Sequence, residues 1–486
     1  NPVCMPNRAT LMTGRMPSLH GVRHNGIPLS LRANTFTEMM RDAGWRTGLI
    51  GKSHLQNMTP YPPIMGRPDV NPDHAPTGHG HDEATLPIPG DGPYDQEHPK
   101  RWANGEFAPM TLPFYGFDHV DLCTGHGDEV GGHYTHWLKA RFPDEGNNRS
   151  SVNPLPDPRY DAPQARKPRM PEEFYPTNYI TEMTLDYLDD YAKRGHEKPF
   201  FLQCSFPDPH HPFTPPGKYW DMYDPADISL PASFYHAPHD QTPILARMHQ
   251  ELADGTANRE WVRPYAVTES EAKQLTALTY GMIAFIDDSV GRILAKLKEH
   301  DLERNTIIIF TSDHGDWMGE HGLMQKALLH YQGLLRAPFI WVDPDEKEPG
   351  GIVSALACSQ DIPNSILIRA GLAPAAGMLG EDLTKIMLNG EPSLRDGIVV
   401  EQATALPLPG QDQSMRVKTF VDHNWRLSYY PGESWGELYD LQSDPGEIIN
   451  LWTSAGHTIP RLELMERMLK NIVRYESQTP LQVTVG

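Results

Sequence analysis

A cysteine near the start of the chain is flanked by residues that suit chemistry on an anion. Cys4 lies between Pro2 and Pro6, and Arg8 follows about one helical turn later. Proline is tolerated in the first turn of a helix, so we expect Cys4 at or just before a helix N-terminus. Free N–H groups and the helix dipole favour an anion there, and the planar guanidinium of arginine suits tetrahedral oxyanions. A lone cysteine is more often a small buried apolar residue, and these residues alone leave that alternative open.

Two polar segments follow stretches that are typical of strands. Residues 45–51 predict a short strand, and Lys52 and His54 come directly after it with their side chains on the same side. The continuous apolar run 198–206 predicts a buried strand, and His210 follows it among prolines. Sheets of α/β proteins place ligand residues just beyond the carboxyl ends of their strands, so these three side chains are candidate site residues.

A third candidate group follows the clearest strand pattern in the chain. Residues 305–311 are apolar and β-branched, which predicts a central parallel strand. Asp313 and His314 come after its carboxyl end, and Gly315 permits a close turn. The same residues could instead cap the following helix, so the pattern by itself allows two interpretations.

Taken together, these segments resemble the active-site motifs of the type I sulfatases, a family within the alkaline phosphatase superfamily. In that family the cysteine of a Cys-x-Pro-x-Arg signature is oxidised to formylglycine after translation. The usual bacterial signature has serine where this chain has Asn7. The matching strings, in chain order, are Cys4-Met-Pro6-Asn-Arg8, Gly51-Lys52-Ser-His54-Leu, Pro209-His210-His211-Pro212 and Ser312-Asp313-His314-Gly-Asp, with Lys326 twelve positions after His314.

The resemblance implies a hydrolase of sulfate monoesters. A hydrated formylglycine at position 4 would attack sulfur with one hydroxyl group, and its other hydroxyl group would expel the sulfate. Cys4, Asp313 and His314 would hold a divalent cation, with Ca2+ expected from hard oxygen ligands and Mn2+ left open by the histidine. The remaining roles fall on matching positions: Arg8, Lys52 and Lys326 at the sulfate, His54 as proton acceptor when the aldehyde reforms, and His210 with Lys326 at the leaving-group oxygen, with His211 as a neighbour.

Two other functions compete with this one. Phosphonate monoester hydrolases and phosphodiesterases of the same superfamily also use formylglycine, but they resemble this chain less at Lys52 and His54. A non-catalytic binding protein on the same scaffold is disfavoured because four motifs are intact. The implied partners are a small-molecule or saccharide sulfate ester and the formylglycine-generating enzyme, and a homo-oligomer stays open.

Composition excludes several classes of partner. The 486 residues carry a formal net charge of −21, which argues against nucleic acid and anionic membrane surfaces. No run of about 18 apolar residues appears, so we expect a soluble protein, cytoplasmic or periplasmic. The four cysteines are too few and too scattered for a disulfide framework and are expected to be reduced. Four further histidines, His79, His81, His133 and His136, fit no metal-ligand spacing and are predicted to be surface residues.

The predicted fold class is α/β. We expect a large, mixed but mostly parallel sheet between helices, like that of alkaline phosphatase, over residues 1–389. Residues 390–486 are expected to form an α+β subdomain, with antiparallel strands near 397–401, 415–420 and 425–430 and a helix over 459–478. In the family a first strand before the cysteine motif carries two metal-binding aspartates, and we expect that strand to lie upstream of Asn1.

Overall fold

An α/β core and a C-terminal antiparallel sheet make up the described part of the chain. The computed structural model describes residues 1–60, 92–104, 106–144, 148–236, 241–259, 263–346, 350–404, 408 and 414–477, so His79 and His81 lie outside it. The helices are α1 (Cys4–Thr13), α2 (Pro17–His20), α3 (Phe36–Asp42), α4 (Pro99–Trp102), α5 (His133–Arg141), α6 (Pro176–Lys193), α7 (Ala232–Tyr235), α8 (Pro243–Asp254), α9 (Glu269–Glu299), α10 (Gln332–Leu335), α11 (Asp361–Arg369), α12 (Thr384–Met387) and α13 (Thr458–Arg474). The strands are β1 (Arg46–Lys52), β2 (His119–Thr124), β3 (Gly131–Gly132), β4 (Phe200–Ser205), β5 (Tyr265–Ala266), β6 (Ile308–Thr311), β7 (Trp317–Met318), β8 (Leu323–Gln325), β9 (Phe339–Val342), β10 (Ile398–Ala403), β11 (Arg416–Val421), β12 (Trp425–Tyr429) and β13 (Gly436–Asp440).

Helix α1 begins at Cys4, as the sequence predicted. Val3 is the extended N-cap residue, and the helix ends at Gly14, which adopts φ +62° and donates its N–H to the Thr10 carbonyl at 2.8 Å. Pro6 lies in the first turn, where its missing N–H breaks no helical bond. Nearly every side chain of α1 is buried, so the helix lies inside the protein rather than on its surface.

The first sheet has the strand order β3-β2-β1-β4 and aligns three parallel carboxyl ends. Strands β2, β1 and β4 are parallel, with Lys52 opposite Cys123 and Gly51 opposite Ser205. Neighbouring residues of β1 point to opposite faces: Leu49 packs with α1, α3 and α11, whereas Ile50 packs with α6 and α9. Helices therefore cover both faces, and residues beyond the ends of these three strands meet at one edge.

Strand β6 corrects one prediction. The run 305–311 was expected to be a central parallel strand, but β6 pairs antiparallel with β9 in a two-stranded sheet. Its residues are partly exposed, with Phe310 40% accessible. The apolar, β-branched pattern specifies a strand because such side chains fit a pleated surface, but it does not specify the direction of the partner.

The C-terminal sheet has the order β10-β11-β12-β13 and is antiparallel throughout. Helix α13 covers one face through Leu464 and Met468. The guanidinium of Arg426 is fully buried and pairs with Glu437 at 3.3 Å and with Glu447. Glu447 also accepts the N–H of Gln332 at 2.7 Å, so this ion-pair network joins the C-terminal sheet to α10.

A buried carboxylate supports the loop after β1, which carries His54 and begins just beyond Lys52. Glu97 is completely buried and accepts the backbone N–H groups of Leu55 at 3.2 Å and Gln56 at 3.4 Å. His54 adopts φ +56°, an uncommon conformation for a residue other than glycine, so the loop needs such outside support. Burial raises the pKa of Glu97 to about 7, against the ordinary 4.5.

The described helices include none that is both long and apolar enough to span a membrane.

His133 and His136 were expected on the surface, and both are half-buried on α5. The His133 Nδ1 accepts the Leu122 N–H at 2.9 Å, which ties α5 to the adjacent sheet. Both side chains are therefore partly exposed, and the contact with Leu122 follows because the first turn of α5 packs against β2.

The raised pKa of Glu97 predicts a pH-dependent stability. Between the ordinary pKa of 4.5 and about 7, the folded protein holds a proton that the unfolded chain has lost. The free energy of unfolding therefore falls as pH rises through this window. In Glu97→Gln the slope of that free energy against pH should be less negative by up to about 1.4 kcal/mol per pH unit. Urea unfolding at several pH values measures it. Glu173→Gln, at an exposed position, is the control, and equal slopes in wild type and Glu97→Gln would refute the assignment.

Candidate active site

One buried arginine brings the ends of three strands to helix α1. The Arg8 Nε donates to Asp313 Oδ2 at 2.7 Å, beyond β6. A terminal nitrogen of the same guanidinium donates to the Lys52 carbonyl at 2.8 Å and to the Ser205 hydroxyl at 3.1 Å, at the ends of β1 and β4. Arg8 therefore assembles the site predicted from sequence, and much of its hydrogen-bonding capacity is used by the protein itself.

Cys4 occupies a place that stabilises negative charge. Its Sγ is buried and lies 3.1 Å from Nε2 of His314. Burial alone raises the pKa of a thiol, but the charges of Lys52, His314 and Lys326 outweigh it and hold the Cys4 pKa well below its usual value. An anionic group on a substrate would be stabilised by the same charges.

Asp313 and His314 offer donor atoms suited to a divalent cation. One donor atom from each of Cys4, Asp313 and His314 lies within 4.8 Å of the others. Asp313 uses Oδ2 for Arg8, which leaves Oδ1 available. The His314 Nδ1 lies 2.7 Å from the Gly315 carbonyl, which can only accept, so Nδ1 keeps its proton and Nε2, which faces Cys4 Sγ, is the nitrogen that could bind a metal once deprotonated. The residues present therefore fit a metal ion.

Local packing explains why a glycine follows this pair. A Cβ at Gly315 would lie 1.9 Å from the Gly333 carbonyl oxygen. Burial raises the pKa of the Asp313 carboxyl, but the charges of Arg8, His314 and Lys52 prevail and hold that pKa well below its usual value. The Asp313 carboxyl is therefore ionised whether or not a metal is bound.

Lys326 and His210 form a pair on the opposite side of the site. The His210 Nδ1 donates to the His211 carbonyl at 2.7 Å, so Nε2 carries the lone pair and accepts from Lys326 Nζ at 3.2 Å. Lys326 also lies 3.5 Å from Asp316. Burial, followed by the neighbouring histidines and lysines, holds the pKa of His210 well below its usual value. The shared proton of the pair therefore resides on Lys326.

Two further predicted residues are buried beside these groups. Burial lowers the pKa of His54 to about 4, so its imidazole is neutral near pH 7. His211 lies with its ring centroid 4.0 Å from that of His210. Neither ring nitrogen of His211 has a hydrogen-bond partner among the described residues.

His126 also lies in this site, although no sequence motif pointed to it. Its Nε2 lies 3.0 Å from Lys52 Nζ, and its ring stacks on His210 with centroids 3.6 Å apart. His126 follows β2 between Gly125 and Gly127, at the same edge of the sheet as Lys52. A polar residue between glycines after a strand was the signal that could have found it. The described structure otherwise brings all the predicted residues together: Cys4, Arg8, Lys52, His54, His210, Asp313, His314 and Lys326.

The amino-acid sequence matches known protein families and proteins. The family model of the sulfatases matches residues 1–372, and the model "N-sulphoglucosamine sulphohydrolase, C-terminal" matches residues 319–474. An arylsulfatase of Clostridium perfringens is 28% identical over 301 residues, which are 61% of this chain and 58% of that protein. The multifunctional alkaline phosphatase superfamily protein PehA of Trinickia caryophylli is 27% identical over 465 residues, 92% of this chain and 80% of that protein.

Solved structures support the same fold. The phosphonate monoester hydrolase of Silicibacter pomeroyi has a TM-score of 0.74 at 22% identity, covering 99% of this chain and 88% of that one. This likeness, with helices on both faces of the mixed sheet and four C-terminal antiparallel strands, confirms the predicted alkaline-phosphatase-like α/β class. Because the sulfatase family model matches residues 1–372 and the four active-site motifs converge in space, this chain belongs to the sulfatase family of enzymes.

Proposed function

We propose that this protein hydrolyses a sulfate monoester of a small molecule or a saccharide, after conversion of Cys4 to formylglycine. The observation that carries the proposal is the environment of Cys4. Its buried Sγ feels the charges of Lys52, His314 and Lys326, which together overcome the effect of burial. An uncharged substrate would gain nothing from these cations, whereas the sulfate group of a monoester is a tetrahedral anion.

The side chain at position 4 supplies the nucleophile. The structure carries cysteine here, and its Sγ stands at the place where the oxygens of a hydrated aldehyde would lie. That hydrate would attack sulfur with one hydroxyl oxygen while the ester oxygen leaves, and the second hydroxyl would lose its proton as the aldehyde reforms and sulfate departs. His54 is the proposed acceptor of that proton, because burial keeps its imidazole neutral at ordinary pH.

The lysines and the arginine would act on the sulfate oxygens. The Lys52 ammonium is buried and has N–H groups beyond the one directed at His126. Arg8 uses its Nε and one terminal nitrogen on Asp313, Lys52 and Ser205, so its second terminal nitrogen is the part proposed for the sulfate. These positive charges are fixed before the substrate arrives, so no reorganisation is needed as charge develops on sulfate.

The Lys326–His210 pair would act on the leaving group. Lys326 holds the proton and donates it toward Nε2 of His210 at 3.2 Å. Lys326 would pass that proton to Nε2 of His210, and the same Nε2–H would then protonate the departing oxygen, which converts an alkoxide into an alcohol and leaves neutral lysine to be reprotonated by solvent. His211 is proposed to remain a neighbour that fixes His210 through its carbonyl.

Asp313 and His314, with position 4, are proposed to hold the divalent cation, Ca2+ or Mn2+. When bound, the cation would stabilise negative charge on the nucleophile and orient a sulfate oxygen. Its affinity depends on residues already seen in place: Arg8 orients the Asp313 carboxylate, and the Gly315 carbonyl orients the His314 ring. The proposed catalytic domain is residues 1–389, and the C-terminal α+β subdomain is 390–486.

A phosphonate monoester or phosphodiester substrate is the second candidate. It is favoured by the structural likeness to the phosphonate monoester hydrolase of Silicibacter pomeroyi. Sulfate monoesters, phosphonate monoesters and phosphodiesters are all tetrahedral monoanions, so the same cations can bind each of them. The Lys52 and His54 pair favours sulfate, and a side-by-side measurement of the three substrates decides. Phosphonate or phosphodiester turnover above sulfate turnover would reverse the assignment.

Mass spectrometry of the peptide that contains Cys4 tests the modification. Coexpression with a formylglycine-generating enzyme should give a peptide lighter than the thiol form and reactive toward an aldehyde-specific hydrazide. The Cys4→Ala variant should not react with the hydrazide and should not turn over an aryl sulfate. An active preparation that contains only the thiol would refute the proposed nucleophile.

The leaving-group role of His210 predicts a dependence on the alcohol. In His210→Ala, kcat/KM for an alkyl sulfate should fall by roughly 10²-fold or more, since general acid catalysis is lost. For 4-nitrophenyl sulfate the loss should be much smaller, because that oxide departs without a proton. The exposed His236 provides the control variant, His236→Ala. Equal losses for both substrates would mean that His210 does not act at the leaving oxygen.

The metal assignment predicts a stability change that needs no turnover. Ca2+ or Mn2+ added after chelation should raise the Tm of the wild type, because an ion that binds only the folded state stabilises it. Asp313→Asn should remove that rise. A second cluster of Asp189, Glu299 and His300 also has metal-type donors, but it is more exposed and contains a Lys296 contact to Asp189 at 3.1 Å. Asp189→Asn should therefore keep the rise, and its loss there instead would move the metal site to that cluster.

A further inference from the structure

We propose that His126 is a positioning residue that holds Lys52 at the sulfate and His210 at the leaving-group oxygen. The inference rests on the sulfate-ester hydrolysis proposed above and adds a residue that neither the sequence motifs nor the family assignment points to. It is drawn from two contacts of one imidazole: a hydrogen bond to Lys52 at 3.0 Å and a ring stack on His210 at 3.6 Å.

The contact with Lys52 fixes the chemical state of His126. An ammonium group can only donate, so the Nε2 of His126 must be the acceptor and its proton must lie on Nδ1. Burial and the positive charge of Lys52 lower the pKa of His126 well below its usual value, which agrees with a neutral ring. The bond occupies one N–H of the ammonium and directs the others, so His126 sets the orientation in which Lys52 meets an anion.

The contact with His210 limits the motion of that ring. The two rings are nearly parallel, with an interplanar angle of 11°. His210 is already held in its own plane by the His211 carbonyl and Lys326. His126 covers one face and prevents the ring from tilting in that direction, so Nε2 stays aimed at the leaving-group side.

The turn that carries His126 is built rigidly against the His210 segment. Gly127 adopts φ +54°, and a Cβ there would lie 2.8 Å from the Thr214 hydroxyl. The Asp128 N–H donates to the same hydroxyl at 3.3 Å, and the Asp128 carboxylate accepts from the Ser150 hydroxyl at 2.8 Å. The segments 126–128 and 210–214 are therefore locked together, as a positioning role requires.

A histidine buried only for packing would make different contacts. His330, for example, is fully buried, and its nitrogens bond Thr419 at 2.8 Å and Gln402 at 2.9 Å, both in the C-terminal sheet. His126 instead contacts two groups that the proposed reaction uses. His330 is therefore a matched control for His126.

Two substitutions separate the two contacts. His126→Phe keeps a flat ring against His210 and removes the acceptor for Lys52. His126→Gln keeps an acceptor oxygen and removes the stacked ring. Each variant is measured for the Kd of inorganic sulfate by calorimetry, for kcat and KM with 4-nitrophenyl sulfate and an alkyl sulfate, and for Tm.

For His126→Phe we expect sulfate to bind about tenfold more weakly, which is the loss of one charge-assisted hydrogen bond. For His126→Gln we expect sulfate binding close to that of the wild type and a fall in kcat for the alkyl sulfate that exceeds the fall for 4-nitrophenyl sulfate. Lys52→Ala combined with His126→Phe should bind sulfate no more weakly than Lys52→Ala alone, because the two changes remove one interaction. His330→Gln should leave both kinetics and sulfate binding unchanged, whatever its Tm.

Additive losses in the double variant, or equal losses in every readout for both His126 variants, would overturn the positioning role. A variant that fails to fold is replaced by the other, since each tests one contact. If the wild type binds inorganic sulfate but cleaves no sulfate ester, the proposed function fails while the sulfate measurement still decides the Lys52 contact. If the wild type does not bind sulfate, both proposals fail.

Discussion

The arrangement of the site depends on burying the charge of Arg8. A buried guanidinium is tolerated only where its donors are satisfied, and here a carboxylate, a backbone carbonyl and a hydroxyl satisfy them. Those acceptors lie just beyond β6 and at the ends of β1 and β4, three strands that are far apart in sequence. Removing the arginine would leave the Asp313 carboxylate buried without its partner, a change that costs about 3–5 kcal/mol in comparable pairs. Arg8 thus ties α1, and with it Cys4, to these three strand ends.

The electrostatics of the site oppose those of the whole molecule. The chain carries a formal net charge of −21, which repels anions at long range. Around Cys4 the sign is reversed by Arg8, Lys52 and Lys326, all of which are buried or nearly so and therefore poorly screened. Four interior histidines add no charge, because burial lowers the pKa of His54, His126, His210 and His211. At His314 burial is outweighed by the negative charges of Asp313 and Cys4, which raise its pKa. The lysines and Arg8 thus carry most of the positive charge, and the four neutral histidines can accept protons or hydrogen bonds.

The separation of fixed positive charges from neutral imidazoles explains how related proteins can act on different anions. A cluster of fixed cations recognises a tetrahedral monoanion and distinguishes poorly between sulfur and phosphorus at its centre. Discrimination must then come from groups that meet particular oxygens or the leaving group. In this chain Lys52 is oriented by a neutral imidazole, and His210 is packed between two others, with ring centroids 3.6 Å and 4.0 Å away. Such contacts fix the orientation of the side chains as well as the local charge. Catalysis at an ester oxygen depends on that orientation.

Much of the site could be predicted from local patterns. The cysteine at the start of a helix, Lys52 and His54 after β1, His210 after β4, and Asp313 with His314 after β6 each follow from the residue types and the periodicity around them. Those signals are local, because a helix start and a strand end are specified within a few residues. Only the tertiary structure decided four other features. These are the pairing of β6 with β9, the support of the His54 loop by Glu97, the contacts of Arg8 with three strand ends, and the position of His126 between Lys52 and His210. Each of these joins residues tens to hundreds of positions apart, and no local pattern specifies which distant group will fill the space beside a given side chain.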